Sequence, residues 1–445
     1  MKILLISSNT AKSPYPVYPL GLSMIAASAE KEGHEVSVFD YLQNNHSAEA
    51  LADKINTAAP ELIGISVRNI DNVNMLHEER YIDQAADIVR CIRANSKAKI
   101  VLGGPAFSIL PERIMQETGA DYGIVGEGEK TFLTLMESGR NDNWPPPGTV
   151  LRGDGRLDPA DIPSTLYDKT LLKQYLSDGS LPAVQTKRGC PLNCVYCSYP
   201  ALEGNSLRAR NPARVVEDIK TLKQKHGVEN IFFADSVFND DEDAFMDLLE
   251  EMLRQEVNIN WSAFFKPSGI TPENVDLMVK TGLQAAELGS DAACDVTLEG
   301  QRKSFRWHDV RRANDTFMNA GIAAAHYFMF GGPNETEETV RQGIENIVEL
   351  GCSAAFVFMG IRILPDTRLY EIALKEDVIA EDRDLLEPVY YISPAIKRDW
   401  LEQTLTRAFQ PLRHVLFPPD VLDDKLQLLH KLGHTGALWD LLSKR

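Results

Sequence analysis

The sequence predicts an α/β protein: an N-terminal doubly wound parallel sheet, then an open barrel of six strands, closed by a small, mainly helical C-terminal cap. Three observations carry this. Short apolar runs alternate strictly with helix-period patterns from Lys2 to about Met136. The rhythm breaks between Asn141 and Asp168, where Pro145-Pro-Pro-Gly148, Gly153-Asp-Gly155 and Pro159 interrupt any period. It then resumes to about residue 375. A chain of 445 residues holds two or three domains of about 100–200 residues. The expected divisions are 1–140, a linker or wrapping segment 141–180, the barrel 181–375 and the cap 376–445.

The elements follow in order. Strands are expected at Ile3 to Ile6, Val36 to Phe39, Leu62 to Val67, Lys99 to Leu102 and Gly123 to Val125. Helices fall between them at Leu20 to Lys31, Ala48 to Thr57, Tyr81 to Asn95 and Pro111 to Thr118. Pro19 suits a first helical turn and Gly33 a C-terminal cap. After the break, strands are expected at Ala183 to Thr186, Asn230 to Ala234, Ile259 to Phe264, Ala285 to Leu288, Ala323 to Phe330 and Ala355 to Leu364. One helix is opened by Asn211-Pro212 and closed by Gly227, and another runs from Asp241 to Arg254.

Composition narrows the function. Lys plus Arg number 46 against 64 Asp plus Glu, a net charge of −18, which disfavours nucleic acid because that affinity rests on cationic surface. No run approaches the roughly 18–20 apolar residues of a membrane span, and Met1 to Ser8 reads as a buried strand rather than a signal segment. A cytoplasmic setting is the expectation. Six cysteines are sparse, and three crowd together at 190, 194 and 197, which fits metal ligation better than a disulfide framework.

The segment Cys190-Pro-Leu-Asn-Cys194-Val-Tyr-Cys197 lies directly after an expected strand. Three thiolates on a cubane leave one iron without a protein ligand, free to chelate a small molecule, whereas structural zinc and electron-transfer clusters normally close with four. Cys-x3-Cys-x-aromatic-Cys resembles the cluster loop of radical S-adenosylmethionine enzymes. The resemblance implies a 4Fe-4S cluster on Cys190, Cys194 and Cys197 whose open iron binds S-adenosylmethionine. It also implies that Asp235, in Phe233-Ala-Asp-Ser-Val-Phe238, meets the methionine amino group. Glu287 and Ser290, in Ala286-Glu-Leu-Gly-Ser-Asp291, fall at ribose-binding positions, with Lys266 placed in the same cofactor set. Gly331-Gly-Pro-Asn-Glu-Thr336 is similar to the family's Gly-x-Pro-Gly-Glu-Thr turn, Asn334 standing for a glycine as its tolerance of left-handed dihedrals permits. Ile363, opening Ile363-Leu-Pro-Asp-Thr-Arg-Leu-Tyr370, falls near the adenine by the same resemblance.

The N-terminal domain lacks a Gly-x-Gly-x-x-Gly after its first strand, which argues against NAD or FAD. It resembles instead the cobalamin-binding domain of class B radical enzymes, through Pro19-Leu20-Gly21-Leu22, Gly64-Ile-Ser66-Val-Arg68-Asn69, Gly103-Gly104-Pro105 and Val125-Gly126-Glu127-Gly128-Glu129. Glycines after a strand let backbone approach a flat ligand closely. The Asp-x-His-x-x-Gly loop that supplies a lower histidine ligand in many cobalamin proteins is missing, so the resemblance implies cobalt without histidine below. Asn9 to Tyr18, Arg68 and Asn69 are the lower-face candidates. Tyr390 and Tyr391 either reach the site or pack the cap.

The combination implies a cobalamin-dependent radical methyltransferase acting on an unactivated carbon through methylcobalamin and a 5′-deoxyadenosyl radical. The alternative is a radical cyclase or rearrangement enzyme of the same architecture. A methylthiotransferase needs three further cluster cysteines, and the N-terminal domain has only Cys91; a mere cobalamin carrier has no use for an open-site cluster loop. A small-molecule, lipid or peptide substrate and an external electron donor such as flavodoxin or ferredoxin are the implied partners.

Overall fold

The computed structural model describes every residue except 14, 154, 436–437 and 440–445. Six strands form the first sheet: β1 (Lys2–Ser7), β2 (Glu35–Asp40), β3 (Leu62–Ser66), β4 (Lys99–Gly103), β5 (Tyr122–Val125) and β6 (Thr149–Arg152). Every pairing is parallel, in the order β2-β1-β3-β4-β5-β6. Apolar side chains cover both faces: Leu4, Ile6, Ile63 and Ile65 pack on one side, Ile3, Leu5, Leu62 and Val101 on the other. This is why the strand sequences read as continuous apolar runs rather than alternations. β1 lies between β2 and β3, so chain direction across the sheet reverses there, and ligands bind such sheets beyond the carboxyl ends of the strands at that point.

The later strands are β7 (Ala183–Val184), β8 (Lys187–Arg188), β9 (Arg208–Ala209), β10 (Asn230–Phe233), β11 (Asn260–Phe265), β12 (Leu283–Asp291), β13 (Ala323–Phe330), β14 (Ala354–Met359), β15 (Ile361–Arg362), β16 (Tyr390–Tyr391) and β17 (Val415–Leu416). Seven make one parallel sheet in the order β17-β14-β13-β12-β11-β10-β7. The six expected barrel strands are all present. Helix ends follow their sequence signals: the Asn211 side chain accepts from the backbone N–H groups of Ala213 and Arg214, and Gly227 closes that helix at φ 68°. Asn334 takes φ 65°, the left-handed conformation expected of it. Phe233, Phe238, Trp261 and Phe265 pack between sheet and helices, with Phe238 and Trp261 ring centres 4.9 Å apart.

Two details add to these expectations. The proline- and glycine-rich stretch is more than a connection, because β6 pairs with β5 there and Lys169–Ser177 forms a helix. The C-terminal region is not only helical, because β17 pairs with β14 through Ala355 and Phe356. No helix among the described residues is long and apolar enough to cross a membrane.

The two sheets are joined by buried contacts. The Tyr18 hydroxyl accepts from the Asp168 backbone N–H at 3.0 Å, and its ring packs against Tyr167 and Tyr175 at 5.4 and 5.5 Å. Tyr175 in turn donates to Asp40 at 2.9 Å. Arg188, at the end of β8, pairs with Glu129 at 2.6 Å and with Glu127 at 3.7 Å, while Arg208 of β9 also pairs with Glu127. All four side chains are at most 10% exposed, so this ionic group locks the ends of the first sheet to the start of the barrel.

Candidate functional site

The cysteine loop begins at Gly189, whose φ of 89° and whose absent Cβ, which would stand 2.0 Å from the Ser206 carbonyl oxygen, demand glycine. From there the Cys190 N–H donates to the Gly204 carbonyl at 3.0 Å and the Cys197 N–H to that of Cys194 at 3.3 Å. Cys190 is buried, and Cys194 and Cys197 are half-buried. Burial pushes the Cys197 thiol up to about 12, helped by the charges of its neighbours Cys194 and Cys190, and burial raises Cys194 as well. Such thiols give up their protons when a metal binds. No three His, Cys, Asp or Glu side chains among the described residues converge tightly enough for a single ion. A zinc ion needs sulfurs within about 2.3 Å of one point; a cubane, ligated at three separate irons, takes them farther apart. The remaining cysteines serve elsewhere, Cys91 on the Ile82–Asn95 helix, Cys294 beside Thr297 at 3.0 Å, and Cys352 in the core.

Four barrel residues expected around S-adenosylmethionine are already engaged. The Asp235 side chain has no exposed surface. It accepts from the Thr186 N–H at 2.8 Å, the Lys187 N–H at 3.2 Å and the Thr186 hydroxyl at 2.5 Å. It therefore braces the turn after β7 instead of offering an open contact. Lys266 is buried and paired with Asp241. Ser290 is fully buried and bonded to His326 Nδ1 at 2.8 Å, because the β12 register slips between Leu288 and Asp291. Ile363 is buried against Val195 and Tyr391. Glu287 is held more loosely: its Oε2 accepts from the Tyr327 hydroxyl at 2.8 Å, and its Oε1, without a partner at hydrogen-bond distance among the described residues, faces the indole N–H of Trp439. Burial pushes its carboxyl up to about 7, against the lowering effects of Tyr327 and Trp439.

The N-terminal candidates meet in one place. Asn9, Tyr18, Leu20, Gly21, Ser66, Arg68, Asn69, Gly103, Gly104, Pro105, Gly126, Glu127 and Gly128 all line a cavity of about 610 Å³ beyond the carboxyl ends of β1, β3, β4 and β5. Ser198, Tyr199, Leu202 and Glu203, which follow Cys197, form part of its wall. Sequence reasoning missed this wall, although Tyr199 stands only two residues past the last cysteine.

The lining fits a large flat ligand. A Cβ on Gly21 meets nothing within 4 Å, and one on Gly103 meets only the Ile124 carbonyl at 3.8 Å. Asn9 Oδ1 is buried without a partner. Arg68 is half-buried, and burial lowers its basicity; its electrostatic neighbours are Tyr199, Tyr175, Tyr15 and Tyr81, with no carboxylate among them. Gly104 has a different duty from the one expected. With φ 98° and a Cβ position 2.7 Å from the Val67 carbonyl, it lets β4 turn against β3. Glu127 belongs to the ionic group between the sheets, accepting also from the Leu157 N–H at 2.7 Å. The hydroxyl of Tyr18 is likewise engaged by Asp168.

Comparison with known proteins meets this geometry at both ends. Residues 6–136 match the B12 binding domain and residues 184–347 the radical SAM superfamily. The chain belongs to the cobalamin-dependent radical S-adenosylmethionine enzymes. Its cofactors are accordingly cobalamin, a 4Fe-4S cluster and S-adenosylmethionine. The enzyme is 26% identical to an uncharacterized methyltransferase of Pyrococcus horikoshii, over 85% of this chain and 84% of that one. It is 24% identical to the tryptophan 2-C-methyltransferase of Streptomyces laurentii, over 79% and 71%. Its fold matches the radical methyltransferase TsrM of Kitasatospora setae with cobalamin and a [4Fe-4S] cluster bound, at a TM-score of 0.84, 23% identity and coverage of 99% and 97%.

Proposed function

We propose that the enzyme transfers a methyl group to an unactivated carbon of a small-molecule substrate. The observation that carries this reading is the shared chamber: one cavity is walled by the carboxyl ends of the first sheet and by the residues that follow the cysteine loop. When bound, the cofactors supply a methyl carrier, an electron and, from S-adenosylmethionine, both a methyl group and a hydrogen-abstracting radical.

The chain's own residues divide the remaining work. Cys190, Cys194 and Cys197 hold three irons. Gly21, Gly103, Gly126 and Gly128 would give the cobalamin face a floor without side chains, while Asn9 offers its unpartnered Oδ1 and Arg68 a guanidinium that pairs with no carboxylate among the described residues. No histidine among the described residues lines the cavity, so none of these would supply an imidazole to a bound cobalamin. Glu287, a buried carboxyl near neutrality shared between Tyr327 and Trp439, would accept a hydrogen bond from a ribose hydroxyl or hold a proton there. The relative that methylates C-2 of tryptophan supports a carbon acceptor of similar size.

The test is anaerobic turnover of the reconstituted enzyme with methyl-labelled S-adenosylmethionine and fractionated small-molecule extract, followed by mass spectrometry. A labelled carbon product, with S-adenosylhomocysteine and 5′-deoxyadenosine released in comparable amounts, is the expected result. Multiple turnovers that release 5′-deoxyadenosine without S-adenosylhomocysteine would replace methyl transfer by ring formation or rearrangement.

A further inference from the structure

We propose that Lys303 is a positioning residue that sets the reduction potential of the cluster through a hydrogen bond to the sulfur of Cys194, and that Asp291 and Tyr196 hold it in place. The proposal rests on the reading that Cys190, Cys194 and Cys197 carry that cluster. Lys303 follows the short Asp295–Gly300 helix, where its backbone N–H donates to the Leu298 carbonyl at 2.9 Å. Its side chain is 6% exposed. The Nζ stands 3.2 Å from Cys194 Sγ and pairs with Asp291 Oδ2, while the Tyr196 hydroxyl donates to that same Oδ2 at 2.6 Å. The ammonium also lies 5.6 Å from the Tyr196 ring centre and 5.5 Å from that of Phe305.

Structural pairing alone does not account for this arrangement. A buried ammonium is already compensated by one carboxylate, and Asp291 provides it at the end of β12. The further contact places the positive end of the Lys303–Asp291 pair against a cluster ligand. One-electron reduction adds a negative charge spread over irons and sulfurs, and hydrogen bonds to the sulfurs and local net charge are among the factors that set such potentials. A desolvated N–H donor at Cys194 therefore stabilises the reduced state more than the oxidised one. Asp291 acts in the opposite sense through its charge, yet it also anchors the donor. The two residues thus have opposite expected effects, which a packing role does not produce.

The experiment is a redox titration of anaerobically reconstituted full-length protein, monitored by paramagnetic resonance, with iron and sulfide counted for each variant. Lys303→Met is expected to make reduction at least tenfold less favourable, equivalent to 59 mV for one electron. Lys303→Arg is expected to restore most of that shift, and Asp291→Asn to move the potential in the opposite direction. A Lys303→Met protein with wild-type iron content and an unchanged potential overturns the proposal. If Lys303→Met fails to hold iron, the decision falls to Asp291→Asn, whose potential must rise; an unchanged or lowered value overturns it. A wild-type chain that holds no four-iron cluster overturns the cysteine assignment and this proposal together.

Discussion

Glu287→Gln isolates a single buried carboxyl and has a calculable consequence. In the folded chain Glu287 titrates near 7, against 4.5 for the ordinary carboxyl, because burial disfavours its charge. The folded state therefore keeps a proton that the unfolded state has already lost. Stability contributed by this site falls as pH rises from about 4.5 to about 7, and is flat outside that window. A shift of about 2.5 units at about 1.36 kcal/mol each is worth about 3 kcal/mol. Glutamine keeps an acceptor for the Tyr327 hydroxyl but carries no charge, so the variant escapes the penalty. Urea unfolding of the wild-type and E287Q proteins, measured from pH 4.5 to 8, gives the difference curve directly. Glu335, also raised to about 7 by burial, is present in both and cancels. E287Q is expected to gain about 3 kcal/mol relative to wild type across this range. Parallel curves would refute the argument, because they would mean that Glu287 is solvated or ionised at neutral pH.

Three further outcomes are expected. Arg188→Met leaves Glu129 buried without its cation, while Glu127 keeps Arg208; urea unfolding is expected to show a loss of about 3–5 kcal/mol, part of it recovered by adding Glu129→Gln. Gly103→Phe is expected to retain the far-ultraviolet dichroism of wild type while losing cobalamin in a cyanide extraction, whereas Gly104→Ala is expected to destabilise the fold, since its Cβ would collide with Val67. Paramagnetic resonance of bound cob(II)alamin is expected to be unchanged when the histidines alone are labelled with ¹⁵N, because none among the described residues lines the cavity.

What could be read before folding, and what could not, divides along physical lines. The long apolar strands and the capped helices announce themselves, because burial on both faces and the loss of helix hydrogen bonds leave local marks such as Lys2–Ser7 and Asn211 to Gly227. β6 escaped because it is a four-residue edge strand with half-exposed side chains between prolines and glycines. β17 escaped because two residues carry no period. The cavity-lining set was legible mainly through the resemblance of its motifs to cobalamin-binding domains, and for Gly103 and Gly104 through their place after a strand. The contacts that Asp235 and Ser290 make within the chain were not, because a register slip in β12 and the hydrogen-bond needs of the turn after β7 decide where those side chains point. Lys303 has no sequence signal; only folding brings it to Cys194.

β17 has a consequence for the making of the protein. It is the outer strand of the seven-stranded sheet, hydrogen-bonded to β14 through the Ala355 N–H and the His414 carbonyl at 2.8 Å. Beneath it lies the uncharged run Ala354-Ala-Phe-Val-Phe-Met359. Leu416, Leu426, Leu438 and Trp439 pack against Ala354 and Phe356 from the same side. Synthesis at about 5–20 residues per second takes several seconds to carry the chain from the end of β14 at Met359 to Val415 and Leu416. Throughout that interval β14 has open backbone donors and acceptors beside aromatic side chains, the features that template association with other chains. The nascent barrel is thus most vulnerable to aggregation just before its completion, and slow translation or interruption upstream of Val415 prolongs that state.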